Sequence, residues 1–209
     1  MHPVARGKFI TLEGIDGAGK SSLIPAIEAF LAARGIAVRM TREPGGTPLG
    51  ESLRKLLLGE AMALDTETLL MFAARAEHLD KVIRPALASG CWVVSDRFTD
   101  ATFAYQGGGR GLPFSRLKAL EQWVHGDLQP DLTLFFDVPV AVGMARRGSA
   151  RHGLDRFERE DPGFFQRVRA AYLERANQEP ARFKIVTTDR AIDAVKENVE
   201  DVLLAFCSR

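Results

Sequence analysis

Short apolar runs alternate along this chain with longer segments in which apolar residues recur every three or four positions. The short runs predict strands at residues 8–12, 36–40, 91–94, 132–136 and 183–186. The helical spacing predicts helices at residues 21–34, 49–58, 66–87 and 191–206. The run at 132–136 is apolar throughout, which is typical of a parallel strand covered on both faces. The alternation predicts a three-layer α/β domain with a parallel sheet flanked by helices.

The connection between the first predicted strand and the first predicted helix is rich in glycine. Its sequence at residues 14–21, GIDGAGKS, fits the phosphate-binding pattern G-x-x-x-x-G-K-[ST] without a mismatch. A glycine-rich turn that merely opens a helix is the alternative, but the strand before it and the helix after it favour a phosphate loop. We therefore expect a nucleoside triphosphate site formed by Gly14, Ile15, Asp16, Gly17, Ala18, Gly19, Lys20, Ser21 and Ser22.

The residue types in this phosphate loop, residues 14–21, suit a polyphosphate. Glycines let the backbone wrap closely and point successive N–H groups inward, and the start of a helix adds a positive dipole end. Lys20 can bring a charge to the outer phosphates, and the Ser21 hydroxyl can bind Mg²⁺. The reaction in which the phosphate takes part has to be inferred from the other motifs.

Composition narrows the class of protein. The chain has 209 residues, 46% hydrophobic and 26% charged, which fits a single globular domain. The net charge of +1 gives no electrostatic reason to expect a nucleic acid polymer or a membrane as partner. Cys91 and Cys207 form no disulfide framework or zinc spacing, and residues 1–7 contain no apolar signal segment. We expect a cytoplasmic protein.

A second motif, Asp96-Arg97, follows the predicted strand at 91–94. An acid at the end of a buried strand beside a phosphate loop can hold Mg²⁺, directly or through water. Arg97 has a planar fork that suits a phosphate, and its charge would be costly in a closed pocket without an anion. The alternative is a surface ion pair at a strand end. The phosphate loop upstream favours the functional interpretation instead.

Two further glycine-containing motifs are ambiguous by themselves. Residues 41–47, TREPGGT, form a corner that could wall a pocket or be only a turn. Residues 105–111, YQGGGRG, predict either a mobile or ligand-contacting loop or a flexible connector.

Four arginines lie within the eleven residues 146–156, which we call the arginine segment. A solvated basic surface is the usual explanation for such a run. In a phosphoryl-transfer enzyme, the same residues could form a lid whose arginines stabilise charge on the transferred group.

In their order and spacing, these motifs resemble the thymidylate kinase family. The resemblance runs nearly end to end, and REPGGT, DR and YQGGGRG are highly specific jointly. It implies the P-loop nucleoside monophosphate kinase fold in a single domain, residues 1–209, with a lid at about 146–157. It also implies Mg²⁺-dependent transfer of the γ-phosphoryl group of ATP to dTMP, giving dTDP and ADP for dTTP synthesis, by what is usually a homodimer.

The resemblance also implies roles for individual residues. Lys20, Asp96, Arg97 and Arg151 are the implied catalytic set, with Ser21 and Asp96 at the metal. The implied dTMP-binding set comprises Asp16, Glu43, Arg54, Phe72, Arg75, Arg97, Thr102, Tyr105 and Gln106. Within it, Asp16 meets the sugar hydroxyl, Arg97 and Arg54 grip the phosphate, and Arg75 and Gln106 hydrogen-bond the thymine ring. Thr102 lies near the base, and Tyr105 packs on the sugar and disfavours a ribose 2′-hydroxyl.

The chain departs from the family pattern in two places. The family's stacking aromatic lies four residues before the base-binding arginine, where this chain has Met71, while Phe72 lies three before Arg75. Either side chain could form the floor under thymine, and we expect Phe72. Some members, including the human type, carry an arginine inside the phosphate loop, where this chain has Gly17. The chain is similar to the bacterial type, whose lid supplies the arginine, and Arg151 best matches that residue.

Two other functions remain open at the level of sequence. The chain could be another kinase, acting on dGMP, dCMP or a deoxynucleoside, although Arg97 and Arg54 favour an acceptor that already carries a phosphate. It could also be a P-loop regulatory switch, but the N-K-x-D stretch with which switch GTPases bind guanine does not occur in the sequence.

Overall fold

The structure, a computed structural model, describes residues 5–148 and 155–208. The strands are Phe9–Glu13 (β1), Val38–Arg42 (β2), Trp92–Asp96 (β3), Leu132–Asp137 (β4) and Phe183–Thr187 (β5). The α-helices are Lys20–Ala32 (α1), Pro48–Gly59 (α2), Leu64–His78 (α3), Arg84–Ala88 (α4), Thr99–Thr102 (α5), Phe114–His125 (α6), Val140–Gly148 (α7), Pro162–Gln178 (α8) and Ile192–Cys207 (α9). Two π-helical segments, Leu79–Ile83 and Phe103–Gly109, follow α3 and α5.

All five strands run parallel, in the order β2-β3-β1-β4-β5. Alternate residues of β1 belong to different apolar clusters, because Phe9 packs with Leu79 and Ile83 while Ile10 packs with residues of α1 and α9. Both faces of the sheet are therefore covered, and the predicted three-layer α/β fold is confirmed.

The sheet brings the predicted motifs to one edge. The phosphate loop follows β1, Arg97 follows β3, and the corner at 41–47 overlaps the end of β2. The register pairs Asp96 with Leu12 on one side and with Arg42 on the other, so these three strand ends lie side by side. Such an edge, outside the carboxyl ends of the strands, is where open parallel sheets bind ligands.

The segment YQGGGRG is not the mobile loop or flexible connector that its glycines predict. Residues 103–109 form a buried π-helical segment that packs on α8. A Cβ atom on Gly108 would collide with Ala171, and one on Gly109 would collide with the Phe164 ring. These glycines allow close helix packing, and the segment keeps its Tyr105 and Gln106 side chains in fixed positions.

Candidate active site

The phosphate loop has the geometry that its sequence predicts. Gly14, Gly17 and Gly19 have φ angles of 139°, 82° and 88°, and α1 begins directly afterwards at Lys20. The Lys20 Nζ donates to the carbonyl oxygens of Gly14 at 2.9 Å and Ile15 at 3.3 Å. Ser21 lies exposed in the first turn of α1. The start of α1 therefore faces the open edge of the sheet with backbone N–H groups available to an anion.

Lys20 lies in an unusual electrostatic environment for a lysine. Its side chain is buried, and this burial lowers its pKa to about 8, with the positive charge of Arg97 acting in the same direction. The carboxylates of Asp96, Asp16 and Glu13 oppose the shift. A bound polyanion would favour the charged form of this amine.

Asp96 ends β3 next to the phosphate loop. Its Oδ1 atom is buried and has no hydrogen-bond partner within residues 5–148 and 155–208. A buried carboxylate oxygen without a donor is energetically costly, so it fits a site that acquires a cation. Ser21 and Asp96 together offer the oxygen ligands that Mg²⁺ prefers.

Arg97 is held in place by the phosphate loop and by two tyrosines. It adopts a left-handed backbone conformation with φ of 71°, which is uncommon for a residue other than glycine. Its guanidinium donates to Asp16 at 2.6 Å, to Gly14 O at 3.0 Å and to Tyr105 Oη at 3.1 Å. Tyr105 donates in turn to the second oxygen of Asp16 at 3.0 Å.

Asp16 is ionised in this cluster. Burial by itself raises the pKa of Asp16, but the Arg97 and Lys20 charges outweigh burial and bring it below its ordinary value. The carboxylate therefore links the phosphate loop to Arg97 and Tyr105 as a charged hydrogen-bond acceptor.

A cavity opens beside this cluster, between α2, α3 and the segment that follows β3. We call it the acceptor cavity. It is lined by Asp16, Glu43, Pro44, Arg54, Leu58, Met71, Arg75, Arg97, Phe98, Ala101, Thr102, Tyr105, Gln106, Asp155 and Phe157. Of the residues implied to bind dTMP, the structure brings together all except Phe72 on this one wall.

Two arginines carry positive charge to the same side of the acceptor cavity. Arg54 is partly buried and donates to Pro44 O at 3.0 Å. Burial lowers the pKa of Arg54, and the nearby charges of Arg42 and Arg97 lower it further. The charge of Arg97 thus disfavours that of Arg54, and a bound anion would offset this repulsion.

Arg75 also lines the cavity, and several hydrogen bonds hold its guanidinium in place. Its Nε donates to Glu43 at 2.7 Å, and its Nη2 donates to Phe98 O at 3.1 Å and to Thr102 Oγ1 at 3.0 Å. His78 holds the other oxygen of Glu43 at 2.9 Å. The Arg75 Nη1 is buried with no partner among the described residues, so a donor is left for a ligand.

Phe72 is not where the resemblance implies a stacking aromatic. It is 2% exposed and packs with Phe103, Leu112 and Leu117 behind the cavity. Met71 lines the cavity instead. Neighbouring helix positions differ by about 100° in direction, so only one of the two can face the ligand. The structure therefore places Met71, and not Phe72 as expected, at the cavity.

The described arginines of the arginine segment do not line the cavity, although Asp155 of that segment does. Arg146 donates to Thr188 O at 2.9 Å, and Arg147 is buried with its guanidinium 4.5 Å from the centre of the Phe165 ring. Arg156 donates to Leu57 O and pairs with Glu67 at 2.6 Å. Arg151 lies outside the described residues, and the predicted lid at 146–157 is only partly within them.

Phe157 and Glu13 belong to the site but were not among the predicted residues. Phe157, which follows the arginine segment, closes the cavity with its ring centre 6.1 Å from that of Tyr105. Glu13 ends β1 fully buried and accepts from Tyr172 Oη at 2.8 Å and from Phe98 N at 2.8 Å. Burial raises the pKa of Glu13 to about 8. An acid ending an apolar strand was the one available sign for Glu13.

The described helices include none that is both long enough and apolar enough to cross a membrane.

Among known proteins, a statistical model of the family described as thymidylate kinase matches residues 12–199. A thymidylate kinase of Methylobacillus flagellatus is 61% identical over 201 residues, 96% of this chain and 98% of that protein. One of Nitrosomonas europaea is 60% identical, covering 97% and 95%. The crystal structure of thymidylate kinase from Ehrlichia chaffeensis superposes with a TM-score of 0.76 at 35% identity, covering 95% and 99%.

Proposed function

The chain belongs to the thymidylate kinase family, and we propose that its acceptor cavity holds dTMP while its phosphate loop holds ATP. As a member of this family, it is a nucleoside monophosphate kinase that transfers a phosphoryl group from ATP to dTMP. One observation carries the assignment of sites. Arg54, Arg97 and the ionised Asp16 line the same cavity, together with Met71, Arg75 and Gln106. Asp16 also belongs to the phosphate loop and accepts from Arg97.

The acceptor phosphate binds between Arg54 and Arg97 in this proposal. Both side chains line the cavity, and the charge of Arg97 disfavours that of Arg54 until an anion arrives. Because Arg97 also bonds Gly14 O, it holds the acceptor phosphate close to where the donor phosphates lie. Fixing the two reactants in this way lowers the entropic part of the barrier.

The sugar and the base lie along the rest of the cavity. Asp16 is an ionised acceptor for a sugar hydroxyl, and the Tyr105 ring beside it limits the space around the sugar. The Nη1 of Arg75, which has no partner in the part of the chain that the structure describes, is a donor that suits a ring carbonyl oxygen, and Met71 supplies an apolar floor. Gln106 and Thr102 complete the polar edge of the base site.

Lys20 and the backbone of the phosphate loop stabilise the donor. The buried ammonium and the N–H groups at the start of α1 face negative oxygens that gain charge as the phosphoryl group moves. Arg151 is the arginine that we propose to complete this environment, because the loop has no side-chain cation at Gly17.

Ser21 and Asp96 fit a divalent cation. Asp96 Oδ1, which is buried with no partner among the described residues, and the hydroxyl of the exposed Ser21 are both oxygen ligands. When bound with ATP, Mg²⁺ neutralises charge on the phosphate oxygens. Asp96 holds this position at the strand end, and its register between β1 and β2 fixes the carboxylate relative to the loop.

Release of ADP with a panel of acceptors tests the proposed function. With ATP and Mg²⁺, we expect efficient turnover of dTMP and weak turnover of dUMP, dGMP, dCMP and AMP. Activity confined to purine acceptors would overturn the assignment of the acceptor cavity. ATP hydrolysis without any preferred acceptor would favour a regulatory P-loop protein.

We also propose a homodimer that forms through the outer face of α3 and α6. This face exposes Trp123 at 82% and Leu69 at 54%, and a groove between them is lined by apolar side chains. Asp80 and Arg84 also line the groove, so a two-fold arrangement can place the acid of one copy opposite the base of the other. Analytical ultracentrifugation should give a dimer, and Trp123→Ser should shift it towards monomer. A wild-type monomer at micromolar concentration would contradict the proposal.

A role in dTTP synthesis and a cytoplasmic location stay predictions. The dTDP formed needs one further phosphorylation to become dTTP, so a nucleoside diphosphate kinase reaction must consume it. Fractionation of the source cells, followed by detection of the protein, tests the location.

A further inference from the structure

Glu67 on α3 is a buried carboxylate that lies directly behind the acceptor cavity. It is 1% exposed and does not line the cavity itself. It accepts from Gln106 Nε2 at 2.7 Å and from Arg110 Nε at 2.9 Å, and it pairs with Arg156 Nη1 at 2.6 Å. Its partners therefore come from the YQGGGRG segment and from the end of the arginine segment.

The two arginines determine what kind of partner Glu67 is for Gln106. Guanidinium groups can only donate hydrogen bonds, so both Glu67 oxygens act as acceptors towards Arg110 and Arg156. An ionised carboxylate accepts hydrogen bonds and cannot donate them. Gln106 must therefore turn its amide N–H towards Glu67, as the 2.7 Å contact shows.

This contact fixes the polarity of the cavity wall. A glutamine amide has a donor end and an acceptor end, and either could face a ligand if the side chain were free to turn. With the nitrogen held by Glu67, the oxygen is the end left for the cavity that Gln106 lines. Arg75 lines the same cavity, and its Nη1, which has no partner among the described residues, provides a donor. The cavity therefore offers a base one acceptor, the Gln106 side-chain oxygen, and one donor, Arg75 Nη1.

We propose that Glu67 is a positioning residue that sets the choice of pyrimidine through the orientation of the Gln106 amide. Thymine presents an N3–H donor beside a carbonyl oxygen, which matches this acceptor and donor. Cytosine presents an unprotonated N3 beside an amino group, which is the reverse pattern. The inference rests on the proposed binding of dTMP in the acceptor cavity, and it assigns base selectivity to a residue that does not touch the base.

The test is the ratio of kcat/KM for dTMP to kcat/KM for dCMP in wild type and Glu67→Gln. The new amide can donate to the Gln106 oxygen, which lets Gln106 turn its N–H into the cavity. We expect the ratio to fall by about tenfold or more, since one hydrogen bond to thymine is lost and one to cytosine is gained. The loss for dTMP should appear mainly in KM, because the amide contacts the base and not the transferred group.

Glu160→Gln is the matched control. Glu160 pairs with Arg110 Nη1 at 2.9 Å but has no contact with Gln106, so it perturbs the same arginine without releasing the amide. Its ratio should stay at the wild-type value. In a Gln106→Met background, Glu67→Gln should leave the ratio unchanged, because a residue that acts through Gln106 has no effect without it.

A folded Glu67→Gln protein with the wild-type ratio would overturn the inference, and so would an equal fall in the Gln106→Met background. If Glu67→Gln does not fold, Glu67→Gln/Arg110→Gln, which removes one unpaired cation, is measured with the same expected fall. Circular dichroism showing both variants unfolded would assign the carboxylate to folding and overturn the positioning role. A wild-type enzyme that does not use dTMP would instead refute the proposed function.

Discussion

The acceptor side and the donor side of the site differ in how completely their polar groups are paired before a nucleotide binds. On the acceptor side, Arg75 donates to Glu43, to Thr102 and to a backbone oxygen, and Gln106 donates to Glu67. On the donor side, Ser21 lies exposed, and Asp96 Oδ1 has no partner in the described part of the chain.

Folding alone therefore fixes most polar side chains of the acceptor side, whereas some polar groups of the donor side are left for the nucleotide. The acceptor cavity has its polarity fixed by buried hydrogen bonds, so dTMP meets a preorganised wall and loses little to reorganisation. On the donor side, Lys20 is held by two backbone carbonyl oxygens, while Ser21 is exposed and Asp96 Oδ1 has no partner among the described residues. Changes on the donor side should therefore affect turnover, and changes on the acceptor side should affect selectivity and stability.

Lys20→Ala should show the largest effect, a fall in kcat of about 10³ or more, because it removes a preorganised charge from the transferring phosphoryl group. Its melting temperature at pH 7 should not fall, because the pKa of buried Lys20 is depressed and its charged form is not stabilised by folding. Steady-state kinetics with thermal melts check both parts. Near-normal turnover would remove Lys20 from the catalytic set.

Arg151→Ala should come next, with a loss of kcat towards the lower end of the ~10³–10⁵ range of arginine fingers and little change in KM for dTMP. Arg151→Lys should recover only part, since an ammonium lacks the planar fork.

Arg147→Ala is the control for Arg151. Arg147 is buried against Phe165, so its loss should lower the melting temperature and leave kcat within a few-fold. The reverse result, with Arg147→Ala inactive and Arg151→Ala nearly normal, would show that the lid residue is misassigned.

The methyl group of thymine should give a smaller effect on the acceptor side. Met71 lines the cavity and can contact this methyl, which is worth roughly 1–3 kcal/mol, so dUMP should be used about tenfold less efficiently than dTMP. Met71→Ala should reduce this preference, whereas Phe72→Leu should leave it unchanged because Phe72 packs behind the cavity. Competition assays with both acceptors measure the ratio, and a preference lost only in Phe72→Leu would restore Phe72 to the site.

The smallest expected signal is proton uptake on ATP binding near pH 8. The pKa of free Lys20 is lowered to about 8, and phosphates should raise it, so about half a proton should be taken up at that pH. Calorimetry in buffers of different ionisation enthalpy measures the number. Glu13, whose pKa burial raises to about 8, is the other candidate group. Uptake that persists in Lys20→Ala would assign the signal to Glu13.

The sheet and the phosphate loop could be predicted because each has a local signal. Apolar runs of strand length marked β1 to β5, and the loop pattern stands between a strand and a helix. Helix α8 also has a local signal in Asp161, which caps it, and Pro162 at its first position, although it was not among the predicted helices.

Other features depend on tertiary contacts that no local pattern encodes. Glycine content predicts a loop at residues 107–109, but these glycines lie inside a buried helical segment because α8 and Phe164 approach them closely. Whether Met71 or Phe72 lines the cavity depends on the rotation of α3 about its axis. Sequence spacing does not determine that rotation to within one residue. Glu67 meets Arg156 only after residues 89 positions apart are brought together by the fold.

The contact between Gly17 and α7 restricts how this enzyme could evolve. Gly17 has a φ of 82°, and a Cβ atom there would collide with the carbonyl oxygen of Gly143. An arginine at position 17, as in thymidylate kinases of the human type, cannot be introduced by one substitution without displacing α7. Because α7 leads into the arginine segment, moving it would disturb the proposed source of the lid arginine at the same time. The two ways of supplying an arginine are therefore separated by a barrier in sequence space, since a change from one to the other needs coordinated substitutions in the phosphate loop and in α7.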